Sequence, residues 1–272
     1  MTDFKNTPEL SESTETAISY STCYQQCFLS DNLELMRTIE SNTIDLIYCD
    51  ILYGTGRNFG DYQDLKPIRS EIENHYLPRL IEMKRVLKQN GSIYLQMDTK
   101  INHWIRCLMD DVFGYGNFRN EIIWAYRSGG KTKKTFSSKH DIIYWYSKTE
   151  NYTFNIEQLY IPNKNGGSYK KVKNGVEYNY NKSLPIDWWD DLPPMLSSLH
   201  KDYVNYATQK PKALIERIIK ASSNEGDIVA DFYAGSFTTA EVCKDLNRNF
   251  IGCDINPKAV EIGVKRLNGG VV

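Results

Sequence analysis

The chain has 272 residues, which is enough for one large α/β domain or two small ones. Hydrophobic residues make up 41% of it and charged residues 25%, as in ordinary globular proteins, and we see neither a signal peptide nor an apolar run of membrane-spanning length, so we expect a cytoplasmic protein. The net charge of −1 argues against a uniformly basic nucleic-acid coat, and the 6 scattered cysteines show no zinc pattern, so we expect reduced thiols and no metal.

The first part of the chain alternates between helical and strand patterns after a polar start. Residues 1–19 are rich in serine and threonine and lack apolar periodicity, so we predict a mobile N-terminal arm. Over residues 20–150, helices are predicted at NLELMRTIES, at EIENHYLPRLIEMKRVLKQNG with a stop at Asn90-Gly91, and at NHWIRCLMDDVFG. Strands are predicted at TIDLIYCD, SIYLQMD, NEIIWAY and HDIIYWYSK. This alternation is typical of a largely parallel sheet.

The alternation stops between residues 151 and 186, where glycine, asparagine, lysine and tyrosine dominate, and we interpret this stretch as an inserted recognition segment. It resumes over residues 187–272, with helices predicted at QKPKALIERIIKASSNEG, FTTAEVCKDLN and PKAVEIGVKRL and strands at DIVADFYAGS and RNFIGCDIN. The predicted organisation is therefore an arm, a first half, an insertion and a second half.

Two basic clusters lie close to the predicted insertion. The first runs from Arg127 to Lys148 with one acidic residue, Asp141, and the second is NKNGGSYKKVKNG. Either cluster alone could be a solvated loop. Two clusters around one segment favour a surface that faces phosphates. The predicted phosphate contacts are Arg127, Lys131, Lys133 and Lys134.

The second half contains a strand, a tight turn and a helix in DIVADFYAGSFTTAEV. Small residues at Ala234, Gly235 and Ser236 let a ligand approach the backbone, and the following helix points its amides at the same place. The next strand ends at Asp254, 19 residues after Gly235, a distance at which an acidic residue commonly binds ribose hydroxyls. The pattern predicts a nucleoside ligand.

These segments resemble, in their order, the β-class amino DNA methyltransferases, which use S-adenosylmethionine to methylate exocyclic amines. CDILYGTG comes first, followed by a basic variable stretch, TQKPKALIERII, DFYAGSFTTA and FIGCDIN. The resemblance covers the chain from about residue 23 to its end. It implies an α/β fold with a doubly wound, mostly parallel Rossmann-like sheet of about seven strands, circularly permuted relative to the commoner methyltransferase order.

The resemblance also implies roles for individual residues. Asp50 and Tyr53 match the catalytic tetrad, Asp-Pro-Pro-Tyr, with Ile51 and Leu52 in place of its prolines. The residues that match the family's S-adenosylmethionine site are Asp31, Thr208, Lys210, Pro211, Asp231, Tyr233, Ala234, Gly235, Ser236 and Asp254. Of these, Asp31 is implied near the adenine, Asp254 at the ribose, and Thr208, Lys210 and Pro211 at the methionine end.

The expected chemistry is direct in-line transfer to an amine. The amine lone pair is delocalised into the ring, so an acceptor for each amine hydrogen makes the nitrogen more nucleophilic. Asp50 supplies one acceptor and the carbonyl of Ile51 the other, and the protein aligns the reacting atoms. The base must leave the duplex, and Tyr53 can stack on it. Neither a metal nor a covalent intermediate is required.

Three departures from the family pattern leave an alternative open. Ile51 and Leu52 keep the carbonyls of the tetrad but lose the stiffness of proline. Phe237 stands where the family usually has glycine. If this position requires φ > 0 or close approach of the cofactor, a phenylalanine impairs cofactor binding, unless its ring turns away from the site. The alternative to an active enzyme is a catalytically impaired DNA-binding pseudo-enzyme.

An aspartate at the head of the tetrad favours adenine N6 as the target, with cytosine N4 as the alternative. The resemblance further implies double-stranded DNA with a short recognition sequence as the partner, a homodimer, and a functional pairing with a restriction endonuclease.

Overall fold

The computed structural model describes residues 18–22, 25–56, 64–126, 132–162, 169–173, 176–180, 182–195, 202–204, 206 and 208–268. The predicted arm, residues 1–19, lies outside these ranges except for Ile18 and Ser19, which begin a strand. Within the described ranges, no helix has both the length and the apolar character that crossing a membrane requires.

Six α-helices form in the described chain, and their bounds are α1 Asn32–Thr38, α2 Arg69–Val86, α3 Asn102–Phe113, α4 Lys212–Ser222, α5 Thr238–Asp245 and α6 Pro257–Leu267. Two short 3₁₀ helices lie at Tyr115–Asn117 and Ile156–Leu159. Local sequence signals mark the starts of α1 and α6. Asp31 caps α1 by accepting the amide hydrogens of Leu33 and Glu34, and α6 begins with Pro257 after the cap Asn256.

The strands are β1 Ile18–Thr22, β2 Gln25–Leu29, β3 Ile44–Asp50, β4 Leu87–Met97, β5 Phe118–Ala125, β6 His140–Ser147, β7 Ile161–Pro162, β8 Tyr169–Lys173, β9 Val176–Tyr180, β10 Lys182–Ser183, β11 Trp188–Trp189, β12 Ile228–Asp231 and β13 Asn249–Asp254. The main sheet has the order β1-β2-β13-β12-β3-β4-β6-β5-β11. Strands β12 and β3, far apart in sequence, pair in parallel at its centre, as a permuted order requires.

The sheet confirms the predicted fold class and differs from the expectation in detail. It has nine described strands rather than about seven, because β1 and the short β11 extend its two edges. Strand β6 pairs antiparallel with both β4 and β5. The neighbouring pairs β2–β13, β13–β12, β12–β3 and β3–β4 are all parallel. This reversal brings the first residues of β6 to the sheet edge at which β3 and β4 end.

The second predicted helix ends four residues before the Asn90-Gly91 stop. It stops at Val86 because Leu87 pairs with Ile44 in the sheet and is fully buried there. Gly91 lies inside β4 and is needed for close packing, since a Cβ at this position would lie 2.8 Å from the backbone oxygen of Asp45. Tertiary pairing therefore overrides the local stop signal.

Helices cover both faces of the sheet, as a doubly wound fold requires. One hydrophobic core contains residues of α1, α2 and α3, and the other contains residues of α4, α5 and α6. Strand β3 contributes to both, with Ile47 and Cys49 in the first core and Leu46 and Tyr48 in the second. A strand buried on both faces has a nearly continuous apolar run, which explains the residues LIYC between Asp45 and Asp50.

Residues 151–186 include strands that lie outside the main sheet. Strand β7 pairs with β10, and β8 pairs with β9, both antiparallel. The boundaries of the insertion and of the two halves of the chain remain predictions.

Candidate functional site

One cavity lies at the edge where the parallel strands β3, β12 and β13 end. Because their carboxyl ends meet at this edge, Asp50, Asp231 and Asp254 come together although they are distant in sequence. Most of the predicted catalytic and cofactor residues line this cavity: Asp31, Asp50, Ile51, Tyr53, Thr208, Lys210, Asp231, Tyr233, Ala234, Gly235, Ser236 and Asp254. Pro211 is buried directly before α4.

Asp50 is held by two neighbours, one on each carboxylate oxygen. Tyr53 donates its hydroxyl hydrogen to Oδ1 over 2.9 Å, and Lys210 forms an ion pair with Oδ2. Burial raises the pKa of Asp50 above its ordinary value, while the charge of Lys210 opposes this rise. The side chain of Lys210 also lies 5.3 Å from the centre of the Tyr53 ring. The predicted contact of Lys210 with the methionine end of the cofactor stays a prediction.

Hydrogen bonds hold the backbone after Asp50 in the absence of the two family prolines. Ile51 is buried and donates its N–H to the backbone oxygen of Gln96 over 3.0 Å, a bond that proline cannot make. The carbonyl of Leu52 accepts the hydroxyl hydrogen of Tyr76 over 3.2 Å. The loop is therefore anchored on both sides of the Ile51–Leu52 peptide.

Ile51→Pro is expected to destabilise the protein although it restores the family residue. The change removes the hydrogen bond from the Ile51 N–H to the backbone oxygen of Gln96, a fully buried residue. We expect the free energy of unfolding to fall by about 1–3 kcal/mol. Denaturant unfolding measures the change, with Ile51→Val as a control that keeps the N–H and costs less. A gain in stability for Ile51→Pro would show that loop stiffness matters more than this bond.

The turn after β12 is held by two acidic side chains. Asp231 accepts the hydroxyl hydrogen of Thr239 over 2.6 Å and the amide hydrogen of Tyr233 over 3.1 Å. Burial raises the pKa of Asp231 to about 7. Asp254 accepts the amide hydrogen of Gly235 over 2.9 Å and that of Asn256 over 2.8 Å. Both carboxylates therefore shape the turn as well as facing the cavity.

Gly235 and Phe237 both have left-handed backbone conformations, with φ values of 49° and 54°. At Gly235 an added Cβ would lie 3.4 Å from Cε1 of Tyr206, at the cavity wall. Phe237 is fully buried, and its ring packs against Gly263 and Phe250 in the second core. The phenylalanine thus turns away from the cavity, and the space it fills exists because residue 263 has no side chain.

Asp31 belongs to a polar cluster that lines the same cavity. Its Oδ2 forms an ion pair with Arg79 over 2.8 Å, and Arg79 also donates to Asn32 Oδ1 over 2.6 Å. Burial lowers the pKa of His75 to about 4, so this ring is neutral near pH 7. Arg79 and His75 were not predicted, because residues of an amphipathic helix carry no local sign that they face a site.

Asp254→Ala is expected to weaken cofactor binding by about tenfold or more, because it removes a polar group at the cavity and an acceptor for the amide of Gly235. Isothermal titration with S-adenosylmethionine measures the affinity. Asp245→Ala, on the exposed end of α5, is the control and should leave the affinity unchanged. Equal affinities for Asp254→Ala and the unaltered protein would contradict the assignment.

A chain of buried polar side chains reaches Tyr53 from β3, β4 and β6. Tyr48 donates to Gln96 Oε1 over 2.8 Å, and Gln96 Nε2 donates to Asp141 Oδ2 over 2.8 Å. The Tyr53 hydroxyl lies 3.1 Å from the same oxygen, and Tyr126 donates to Asp141 Oδ1 over 2.9 Å. In the sequence the only signal for Asp141 is its position as the one acidic residue of the first basic cluster.

The predicted phosphate contacts are only partly within the described chain. Lys133 and Lys134 are exposed in the segment that precedes β6, and Phe136 beside them is fully exposed. Arg127 and Lys131 lie outside the described residues. The segment that contains these lysines leads into β6, the strand that carries Asp141.

Comparisons with known proteins point to a single family. The family model described as "DNA methylase", that of the N6/N4 methyltransferases, matches residues 44–265. The chain is 35% identical over 245 residues to DNA adenine methyltransferase YhdJ of Escherichia coli, covering 88% of this chain and 81% of that protein. It is 36% identical over 249 residues to type II methyltransferase M.HpaI of Haemophilus parainfluenzae, covering 90% of this chain and 74% of that protein.

Solved structures share the fold. The cytosine-N4-specific PvuII DNA methyltransferase superposes with a TM-score of 0.70 at 19% identity, covering 91% of this chain and 87% of that chain. The M1.HpyAVI–SAM complex superposes with a TM-score of 0.58 at 20% identity, covering 90% of this chain and 99% of that chain.

Proposed function

This chain belongs to the N6/N4 family of DNA methylases, which are S-adenosylmethionine-dependent, and we propose from its site that it methylates adenine N6 of a flipped base in DNA. The observation that carries the proposal is the position of Asp50. Its carboxylate lines the same cavity as the turn Ala234–Gly235–Ser236, and so a target amine and a cofactor can meet there.

The residues around the cavity suit S-adenosylmethionine. Gly235 leaves room that a Cβ would fill, and the small residues on both sides of it let a ligand contact the backbone. In this proposal Asp254 binds the ribose hydroxyls, Asp31 lies at the adenine, and Thr208, Lys210 and Pro211 lie at the methionine end. Phe237 does not oppose this fit because its ring lies in the core.

The residues of the chain bind and orient the amine. When bound, S-adenosylmethionine supplies an activated methyl group on a sulfonium centre. Asp50 accepts one amine hydrogen and the carbonyl of Ile51 accepts the other, which directs the nitrogen lone pair toward the cofactor side of the cavity. The anchored loop holds both acceptors still. Tyr53, whose ring borders the same space, stacks on the flipped base.

Adenine is favoured over cytosine by the aspartate at position 50 and by the identity to a relative named as a DNA adenine methyltransferase. Cytosine N4 is the second candidate. The impaired pseudo-enzyme is disfavoured because the three departures from the family pattern are accommodated: Ile51 is hydrogen-bonded, the Leu52 carbonyl is anchored, and Phe237 is packed away.

The proposed partner is double-stranded DNA with a short recognition sequence, approached by the basic segment that contains Lys133 and Lys134. Exposed lysines suit phosphate contacts, which position a duplex without reading its sequence. A homodimer, a paired restriction endonuclease and a cytoplasmic location belong to the same proposal.

The test is methyl transfer from labelled S-adenosylmethionine to unmethylated genomic DNA, followed by analysis of the nucleosides. Labelled N6-methyl-2′-deoxyadenosine in the digest would support the proposal. Labelled N4-methyl-2′-deoxycytidine would move the target to cytosine. DNA binding without any transfer would favour the pseudo-enzyme.

A further inference from the structure

The hydroxyl of Tyr53 has one hydrogen and two carboxylates within reach. Its oxygen lies 2.9 Å from Asp50 Oδ1 and 3.1 Å from Asp141 Oδ2. Burial and the two acidic neighbours raise the pKa of Tyr53 well above its ordinary value, so the hydroxyl keeps its hydrogen. The hydrogen can point to only one of the two oxygens at full strength, so the two acceptors compete for it.

Asp141 is held in place for this contact. It is 4% exposed and lies in β6 opposite Trp124 of β5. Its Oδ1 accepts a hydrogen bond from the Tyr126 hydroxyl, and its Oδ2 accepts one from Gln96 Nε2. Tyr48 donates to the oxygen of the Gln96 side chain, which turns the amide nitrogen of Gln96 toward Asp141. Gln96 is therefore a donor at this site, and its hydrogen bond fixes the position of the Asp141 carboxylate.

Asp50 needs an open acceptor position when the target amine arrives. Its Oδ2 faces Lys210, and its Oδ1 faces Tyr53. A hydroxyl hydrogen that stays on Oδ1 takes one of its two lone pairs and part of its negative charge, which weakens this oxygen as an acceptor for the amine hydrogen. If the Tyr53 hydrogen rotates to Asp141, Oδ1 meets the amine as a full-strength acceptor, and the Tyr53 ring does not have to move.

We propose that Asp141 is a positioning residue, which accepts the Tyr53 hydroxyl hydrogen and so leaves Asp50 Oδ1 open to the target amine. This inference rests on the proposed function. It predicts that loss of the Asp141 acceptor slows transfer by keeping the Tyr53 hydrogen on Asp50, and that removing the Tyr53 hydroxyl relieves the defect.

The experiment is a double-mutant cycle that combines Tyr53→Phe with two replacements of Asp141. Asp141→Asn preserves a partner for Gln96 and Tyr126, but its neutral oxygen is a weaker acceptor than the Asp50 carboxylate, and we expect kcat to fall about threefold. Asp141→Leu has no acceptor, and we expect kcat to fall about tenfold or more. The KM for S-adenosylmethionine should not change in either variant.

In the Tyr53→Phe background both Asp141 replacements should have little further effect, and Asp141→Leu/Tyr53→Phe should be faster than Asp141→Leu alone. A purely structural role for Asp141 would instead make the losses add, which would overturn the inference. If Asp141→Leu does not fold, the cycle with Asp141→Asn is the test. The inference then requires that Asp141→Asn lowers kcat less in the Tyr53→Phe background than in the unaltered enzyme. Tyr146→Phe, which removes the hydroxyl of another tyrosine of β6 that donates to Asp110 rather than to Asp141, is the control and should stay within about twofold of the unaltered enzyme.

Transfer by the unaltered enzyme is measured in the same assay, and so the two proposals can fail separately. Absence of any transfer to DNA would contradict the proposed function. Normal transfer together with additive losses in the cycle would contradict the role of Asp141 alone.

Discussion

Asp50→Asn is expected to lower kcat by about 100- to 10,000-fold with little change in affinity for S-adenosylmethionine. The amide oxygen would stay with Lys210, whose side chain is only 11% exposed and requires an acceptor. The amide nitrogen would then face Tyr53 and the target amine, so that a donor meets a donor. Single-turnover methyl transfer measures the chemical step, and isothermal titration measures cofactor binding.

Asp98→Asn is the matched control for this prediction. Asp98 follows β4 at the same edge of the sheet, and it accepts the amide hydrogen of Lys100 over 2.8 Å, which an asparagine can also do. Its kcat should remain within about twofold of the unaltered enzyme. Transfer by Asp50→Asn at the same rate as Asp98→Asn would remove Asp50 from the catalytic site.

Phe237→Gly is expected to lower the free energy of unfolding by about 2–4 kcal/mol, because the loss of a buried aromatic ring outweighs the relief of a left-handed φ. The ring is fully buried, and its Cγ would lie 2.5 Å from a Cβ at position 263. Cofactor affinity should not increase, since the ring faces the core. Denaturant unfolding and isothermal titration measure the two quantities.

Two further variants separate packing from backbone strain. Asn247→Gly changes an exposed residue with a φ of 57° and is expected to alter stability by at most about 1 kcal/mol. Gly263→Ala should be destabilising in the unaltered protein and much less so beside Phe237→Gly, because the added methyl group would occupy the space of the ring. Tighter cofactor binding with undiminished stability in Phe237→Gly would instead mean that the phenylalanine crowds the turn.

Periodicity predicted most elements because the same residues decide both local conformation and burial. The apolar run before Asp50 is β3, and PKAVEIGVKRL coincides with α6. The helix before β4 was predicted too long, since Leu87 pairs with Ile44 and no local pattern reports that pairing. The antiparallel direction of β6 was likewise missed, because a strand pattern indicates burial and not direction.

In the site, too, some features follow from local sequence and others from tertiary contacts. The tetrad and the proposed cofactor turn are local sequence patterns, so the sequence alone predicted Asp50, Tyr53, Gly235 and Asp254 as site residues, and all four line one cavity. Whether Ile51 and Phe237 harm the site depends on what their backbone and side chains contact.

Only the tertiary structure decided those contacts. It assigns the Ile51 N–H to Gln96 and the Phe237 ring to the space above Gly263. It also brings Asp141 to Tyr53, 88 residues away, because β6 runs antiparallel to β4 and starts where β3 ends. Strand order and direction result from the pairing and burial of the whole chain, and a local pattern does not contain them.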